Sequence, residues 1–166
     1  GYKILTSSDI EDGTINWKKL HSIKYENNKF DKYAVKKNDV IVTSKSSKVK
    51  IAVIDKEPDE KVIVTGGMLI IRPNISRLDP TYLKIFLDSE QGQIALKSIQ
   101  KGITIVTINA KDLSTISIPL VNIEQQHEKS QKYNEKLSTL YVYKQEIRKI
   151  EDSLQNFFSL EYEGMD

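Results

Sequence analysis

Short runs of β-branched and aliphatic residues recur along the first 72 residues, and polar or glycine-containing segments separate them. This pattern predicts strands, because β-branched side chains pack well on a pleated surface and turn residues end each run. Asp12-Gly13, a common hairpin turn, precedes the second run. The predicted strands cover residues 2–5, 14–17, 40–43, 50–54, 62–65 and 68–72.

Helical periodicity replaces this pattern after residue 78. Asp79 is a good N-cap and Pro80 fits the first helical position, where its missing N–H is not needed. Ser89 predicts the cap of a second helix that ends near Gly102. The inward residues are predicted to be Leu83, Phe86 and Leu87 in the first helix, and Ile94, Ala95 and Leu96 or Ile99 in the second. Two further short strands are expected over residues 103–108 and 116–118.

The C-terminal segment has a third pattern, free of Gly and Pro from Glu124 to about Phe158. Its apolar residues recur at helical spacing, with a gap at Lys144. This stripe consists of Tyr133, Leu137, Leu140, Ile147, Ile150, Leu154 and Phe157.

One helix of roughly 35 residues would be about 50 Å long, more than the diameter of a 120-residue domain. We therefore expect it to project from the globular part and to pair its stripe with a partner helix. The alternative is that it folds back as a hairpin onto its own domain.

Charge is distributed unevenly although the net charge is only +2. Residues 16–50 hold ten lysines against three acidic residues, whereas residues 123–166 hold six basic and nine acidic residues. Such lysine density suits a surface that faces phosphates, and it is also common on solvated surfaces.

Several classes of site are excluded or disfavoured. The sequence has no cysteine, which excludes disulfides and thiolate metal sites. It has no phosphate-binding glycine loop and no methyl-donor glycine motif. His21 and His127 have no neighbouring ligand at metal spacing. We therefore expect no catalytic residue, no metal and no cofactor, and no apolar run suggests a membrane partner.

From Tyr82 onward the order of residues becomes specific. The characteristic positions are Tyr82-Leu83, Phe86-Leu87, Ser89, Gly92-Gln93, Gly102, Ile105, Ile108, Leu113, Ile116, Ile118-Pro119-Leu120 and Gln125-Gln126. Upstream positions with the same character are Asp9-Ile10, Asp12-Gly13, Ile15, Tyr33, Val35 and Asp39-Val40-Ile41. Together they resemble the target-recognition domain of the specificity (S) subunit of type I restriction-modification enzymes. Val121 departs from the family pattern, which often has a second proline there.

The resemblance implies an α+β fold: a mixed α/β globule of short strands and helices over residues 1–122, then a long helix over 123–166 that pairs in a coiled-coil-like manner. It implies a non-catalytic module that recognises one half of a split double-stranded DNA target. The implied partners are an N-6 adenine methyltransferase subunit and a second copy or second half of the specificity subunit, in the cytoplasm. A similar domain is fused to some N-6 adenine methyltransferases. The start at Gly1 leads us to expect a piece of a longer polypeptide.

The candidate DNA contacts form two groups, predicted to lie on loops, that combine lysines with short polar side chains. The first group follows the strand 40–43 and consists of Lys45, Ser46, Ser47, Lys48 and Lys50. The second group surrounds the predicted turn at Gly102 and consists of Gln100, Lys101, Thr104 and Thr107. Two other functions remain open: a protein-interaction module whose long helix docks a partner, with weak non-specific DNA binding, or a standalone nuclease or methyltransferase.

Overall fold

The computed structural model describes residues 1–25, 28–46 and 48–158. The strands are β1 (Tyr2–Leu5), β2 (Ile10–Glu11), β3 (Thr14–Ile15), β4 (His21–Ile23), β5 (Val40–Thr43), β6 (Ile51–Val53), β7 (Val62–Val64) and β8 (Met68–Ile71). The helices are α1 (Pro80–Asp88), α2 (Glu90–Ser98), α3 (Ala110–Leu113) and α4 (Ile123–Gln155). Short 3₁₀ helices cover Ser7–Asp9, Trp17–Lys19 and Asn28–Tyr33. This architecture confirms the α+β class.

Two small sheets carry most of the core. In one, β1 pairs antiparallel with β4 and parallel with β7; in the other, β5 pairs antiparallel with both β6 and β8. Residues of β5 alternate between two apolar clusters: Ile41 belongs to the cluster with Leu5 and Val62, while Val40 and Val42 pack with residues of α1 and α2. All four residues of β5 are buried, since the strand lies between these clusters.

Both predicted helix caps are confirmed. The Asp79 carboxylate accepts a hydrogen bond from the Tyr82 backbone N–H at 3.0 Å, and Pro80 opens α1. The Ser89 hydroxyl accepts from the Gly92 N–H at 3.1 Å, and Ser89 is the single residue between α1 and α2. These local signals were recoverable from sequence because each bond spans only three residues.

The burial pattern of α2 differs from the prediction. Gly92 and Leu96 are its buried residues, whereas Ile94 is 63% exposed. A β-carbon on Gly92 would lie 1.9 Å from the carbonyl oxygen of Phe86, so the missing side chain is what lets this face approach α1. The apolar spacing alone could not show which face packs so closely.

The two late strands were predicted wrongly. In 101–107 only Lys101 and Thr107 take part in isolated β-bridges, and Ile103 and Ile105 are exposed. The segment folds on itself as a loop, because β-branched residues form a strand only where a neighbouring strand accepts them. Residues 116–118 pair with no strand among the described residues; Ile116 and Ile118 instead pack by their side chains against the α1–α2 cluster.

The chain divides into two compact units, Gly1–His127 and the segment from Glu128 onward. The sequence-based boundary after residue 122 coincides with the start of α4, whereas the first unit extends further because Gln126 is buried in it. The Gln126 side-chain amide donates to the carbonyls of Arg77 at 3.0 Å and Val121 at 2.8 Å. Its oxygen accepts from the Asp79 N–H at 2.9 Å, so all three bonds lie within the first unit.

Candidate nucleic-acid interface

The first predicted loop connects β5 to β6 and has a fixed base. The Thr43 N–H donates to the Lys50 carbonyl at 3.0 Å, and the Lys50 N–H donates to the Thr43 hydroxyl at 2.8 Å. Between these bonds the Ser46 hydroxyl donates to the Lys48 carbonyl at 2.7 Å, while the Lys45 and Lys48 side chains are exposed. The strand register therefore presents two lysines at one end of the β6-β5-β8 sheet.

The second predicted loop is closed by reciprocal backbone bonds. The Lys101 N–H donates to the Thr107 carbonyl at 2.9 Å, and the Thr107 N–H donates to the Lys101 carbonyl at 2.8 Å. Gly102 has φ +104°, a conformation that favours glycine, and a β-carbon there would lie 2.1 Å from the Ile105 carbonyl oxygen. The loop is thus a tight, hydrogen-bonded turn.

The structure brings these two loops together. Lys45 forms an antiparallel β-bridge with Thr107, which in turn bridges Lys101. The neighbouring Ile108 N–H donates to the Ser44 carbonyl at 2.8 Å, and the Ser44 N–H donates to the Gly67 carbonyl at 2.7 Å. Residues that lie more than 50 positions apart in sequence therefore share one surface, and we call loops 44–50 and 100–107 together the paired-loop surface.

The predicted contact residues differ in how accessible they are. Lys45, Lys48, Lys101 and Thr104 are exposed, whereas Ser46, Gln100 and Thr107 are half-buried. Ser47 lies outside the described residues.

Lys50 has a structural role. Its ammonium donates to the backbone carbonyls of Ser7 at 2.8 Å and Ile10 at 3.1 Å, so it ties the base of the first loop to the β2 segment. A substitution at Lys50 would therefore disturb the fold together with any contact to DNA.

One carboxylate moderates the charge of the paired-loop surface. The Lys101 ammonium lies 2.7 Å from the Asp112 carboxylate and, with help from the Asn109 side chain, lowers the pKa of Asp112. Asp112 consequently stays ionised at neutral pH. The positive charge of Lys101 is partly offset, whereas Lys45 and Lys48 form no ion pair with a described carboxylate.

Two residues of this surface were missed at the sequence level as contact candidates. Ile103 is 101% exposed and Ile105 is 68% exposed, on either side of Thr104. Their apolar, β-branched character predicted a strand. Gly102 was the available signal, because a glycine ahead of a short apolar run also suits a turn tip.

The apolar stripe of α4 is mostly exposed in the single chain. Tyr133 and Leu137 are half-buried, but the remaining stripe residues are open to solvent. Their exposed fractions are 44% for Leu140, 53% for Ile147, 60% for Ile150, 68% for Leu154 and 60% for Phe157. Because α4 is one continuous helix over 33 residues, it forms no hairpin within that span.

The described part of the chain has neither a candidate metal site nor a candidate membrane span. Among the described residues, no group of three or more His, Asp or Glu side chains could hold a metal ion. None of the helices described is long and apolar enough to cross a bilayer.

One protein family and several individual proteins are similar to the chain. The family described as the type I restriction modification DNA specificity domain matches residues 1–155. The type I restriction enzyme EcoBI specificity subunit of Escherichia coli is 30% identical over 129 residues, which are 77% of this chain and 27% of that protein.

Two solved structures share the fold. The HsdS subunit from Thermoanaerobacter tengcongensis matches with a TM-score of 0.62 and 21% identity, over 95% of this chain and 40% of that one. The S subunit of a type I restriction-modification system from M. genitalium matches with a TM-score of 0.55 and 21% identity, over 96% of this chain and 38% of that one. The chain thus spans less than half the length of each relative.

Proposed function

Because the chain belongs to the family of type I restriction modification DNA specificity domains, we propose that it is a non-catalytic module that recognises one half-site of a split double-stranded DNA target. Its role is to direct an adenine methyltransferase and restriction complex to that sequence in the cytoplasm. The observation that carries the proposal is the extent of the family match. It covers all of α4 and the first compact unit, Gly1–His127, which we call the globular unit.

The paired-loop surface supports this function chemically. Phosphate contacts position a protein on the duplex, whereas side chains that reach base edges specify sequence. Lys45 and Lys48 supply exposed positive charge for phosphates. The Thr104 hydroxyl can both donate and accept hydrogen bonds, and the amide of Gln100 can do the same. The Ser46 hydroxyl, which donates to the Lys48 carbonyl, can still accept a bond.

The exposed stripe of α4 supports the proposal that this helix pairs with a partner helix. Five apolar side chains that are at least 44% exposed gain free energy by association, because water is released from their surface. We propose that the stripe pairs with the equivalent helix of a second copy or second half of the specificity subunit. The resulting helix pair is where the methyltransferase subunit docks.

The combined substitution Lys45→Glu and Lys48→Glu should weaken binding to every duplex sequence. Two phosphate contacts are lost, so we expect affinity at low salt to fall about tenfold or more and the slope of log affinity against log salt to decrease by about two. Fluorescence anisotropy of a labelled duplex, titrated over a range of salt concentrations, measures both quantities.

A matched control changes the same net charge elsewhere. Lys129→Glu plus Lys132→Glu alters two exposed lysines of α4 and should leave the salt slope within about half a unit of the wild-type value. Equal losses in the two double variants would mean that binding responds only to net charge, and the paired-loop surface would then not be the DNA contact.

A further inference from the structure

The tip of loop 100–107 exposes unusual apolar surface. Ile103 is 101% exposed and Ile105 is 68% exposed, with only Thr104 between them. Single exposed apolar residues are ordinary on protein surfaces. Two isoleucines at one loop tip, one of them without any contact that reduces its accessibility, are a concentrated apolar feature that the fold itself does not use.

The tip is held in a defined conformation. The reciprocal bonds between Lys101 and Thr107 close the loop, and the backbone at Gly102 packs directly against the Ile105 carbonyl. Isoleucine is also stiff at χ1 because its β-carbon is branched. Ile103 and Ile105 would therefore lose little conformational freedom on binding, which suits side chains that make a specific contact.

The charges around the tip indicate what kind of surface it meets. Lys101, whose charge Asp112 partly offsets, lies at the neck of the loop. The β-bridge between Lys45 and Thr107 brings to the same neck a second exposed lysine, which forms no ion pair with a described carboxylate. An apolar tip with a positive rim is complementary to a DNA groove, where phosphates line both edges and base edges form the floor. A hydrophobic protein partner would not need the lysines.

Only one apolar group on the base edges distinguishes sequences. The C5-methyl group of thymine projects into the major groove, and the minor groove offers no comparable apolar feature. We propose that Ile103 and Ile105 are specificity-determining residues that contact thymine methyl groups in the major groove of the recognised half-site. The inference rests on the proposed function and adds to it the class of base that this loop recognises.

The test compares thymine with uracil, which lacks only the methyl group. A duplex is selected from a random-sequence library by the wild-type chain, and each thymine is replaced singly by deoxyuridine. For one or two of the thymines, wild-type affinity should fall about fourfold, the value expected for one buried methyl group. The variant I103S/I105S should bind the thymine duplex more weakly and should be insensitive to the same replacements.

Two control variants separate the contact from indirect effects. I94S removes an isoleucine that is 63% exposed on α2 and should keep the full uracil sensitivity. I103V/I105V keeps an apolar, β-branched tip and should retain most of that sensitivity. Unchanged thermal unfolding of I103S/I105S shows that the loop change leaves the fold intact.

The remaining outcomes overturn the inference. It fails if I103S/I105S keeps the wild-type sensitivity to uracil, if the selected duplex contains no thymine, or if the variant loses affinity equally for selected and scrambled duplexes. If I103S/I105S binds DNA as tightly as the wild-type chain but no longer associates with the methyltransferase subunit, the tip is a protein contact instead. A wild-type chain that selects no sequence contradicts the proposed function itself, which distinguishes the two failures.

Discussion

Replacing Gly92 with alanine should destabilise the globular unit by about 3 kcal/mol and lower its unfolding temperature by about 10 °C. The new β-carbon would lie 1.9 Å from the Phe86 carbonyl oxygen and 2.7 Å from the Leu87 α-carbon, and both are backbone atoms of α1. The first turn of α2 must therefore move away. That movement weakens the Ser89 cap and the 2.7 Å bond from the Gln93 amide to the Leu87 carbonyl.

A second glycine provides the control for this experiment. Nothing lies within 4 Å of a β-carbon built on Gly66, so Gly66→Ala should change stability by less than about 0.5 kcal/mol. Trp17 is the single tryptophan and lies in the globular unit, so its fluorescence follows unfolding of that unit. If Gly92→Ala unfolds at the wild-type temperature, the close approach of α2 to α1 does not exist in solution.

We expect the chain to form a concentration-dependent homodimer through the α4 stripe, and the combined substitution Leu140→Asp and Leu154→Asp should convert it into a monomer. Both leucines belong to the exposed stripe, and each leucine buried in a helix pair contributes about 1.5–3 kcal/mol. An aspartate at the same position would also have to lose water. We therefore expect dimer affinity to fall at least about a hundredfold, measured by sedimentation equilibrium over a range of concentrations.

The matched control places two aspartates on the same helix but away from the stripe. Asn134→Asp plus Ser138→Asp changes two exposed polar residues of α4 and should leave the dimer intact. A wild-type chain that remains monomeric at high concentration would show that α4 does not pair with itself. The helix would then require a different partner, such as a second specificity half or the methyltransferase subunit.

Local signals explain why the helices were predictable. Asp79 and Ser89 each cap a helix through a bond to the residue three positions later, so the information lies in adjacent sequence. The helical spacing of apolar residues in a segment free of Gly and Pro from Glu124 to about Phe158 predicted α4, whose observed range is Ile123–Gln155. The fold class followed from these elements and from the family resemblance, because that class depends on element types more than on exact boundaries.

Long-range contacts explain the misses. The segment 103–108 has the composition of a strand, yet among the described residues it forms only isolated bridges, from Thr107 to Lys45 and to Lys101. Strand β4 was overlooked because His21–Ile23 is mostly polar and exposed; it is held by pairing with β1. Neither fact is visible without knowing which segments are neighbours in space.

The candidate site was predictable only as two separate groups of residues, and part of the second group was predicted to lie in a strand. Sequence showed that 44–50 and 100–107 combine lysines with short polar residues, but their contact depends on the bridge between Lys45 and Thr107. It also could not separate Lys48, which is exposed, from Lys50, whose ammonium is bonded to two backbone carbonyls. Lys48 and Lys50, which the sequence could not distinguish, therefore differ in the structure: Lys48 is exposed, and Lys50 stabilises the fold.

Selection from a random-sequence duplex library tests the central claim most directly. The wild-type chain is incubated with the library at moderate salt, and the bound DNA is amplified and sequenced over several rounds. If the chain is a sequence-specificity module, one short motif becomes enriched, and a dimer through α4 would enrich it as two half-sites at one fixed spacing. A bound pool that stays random in sequence, with binding that disappears as salt rises, would contradict the account.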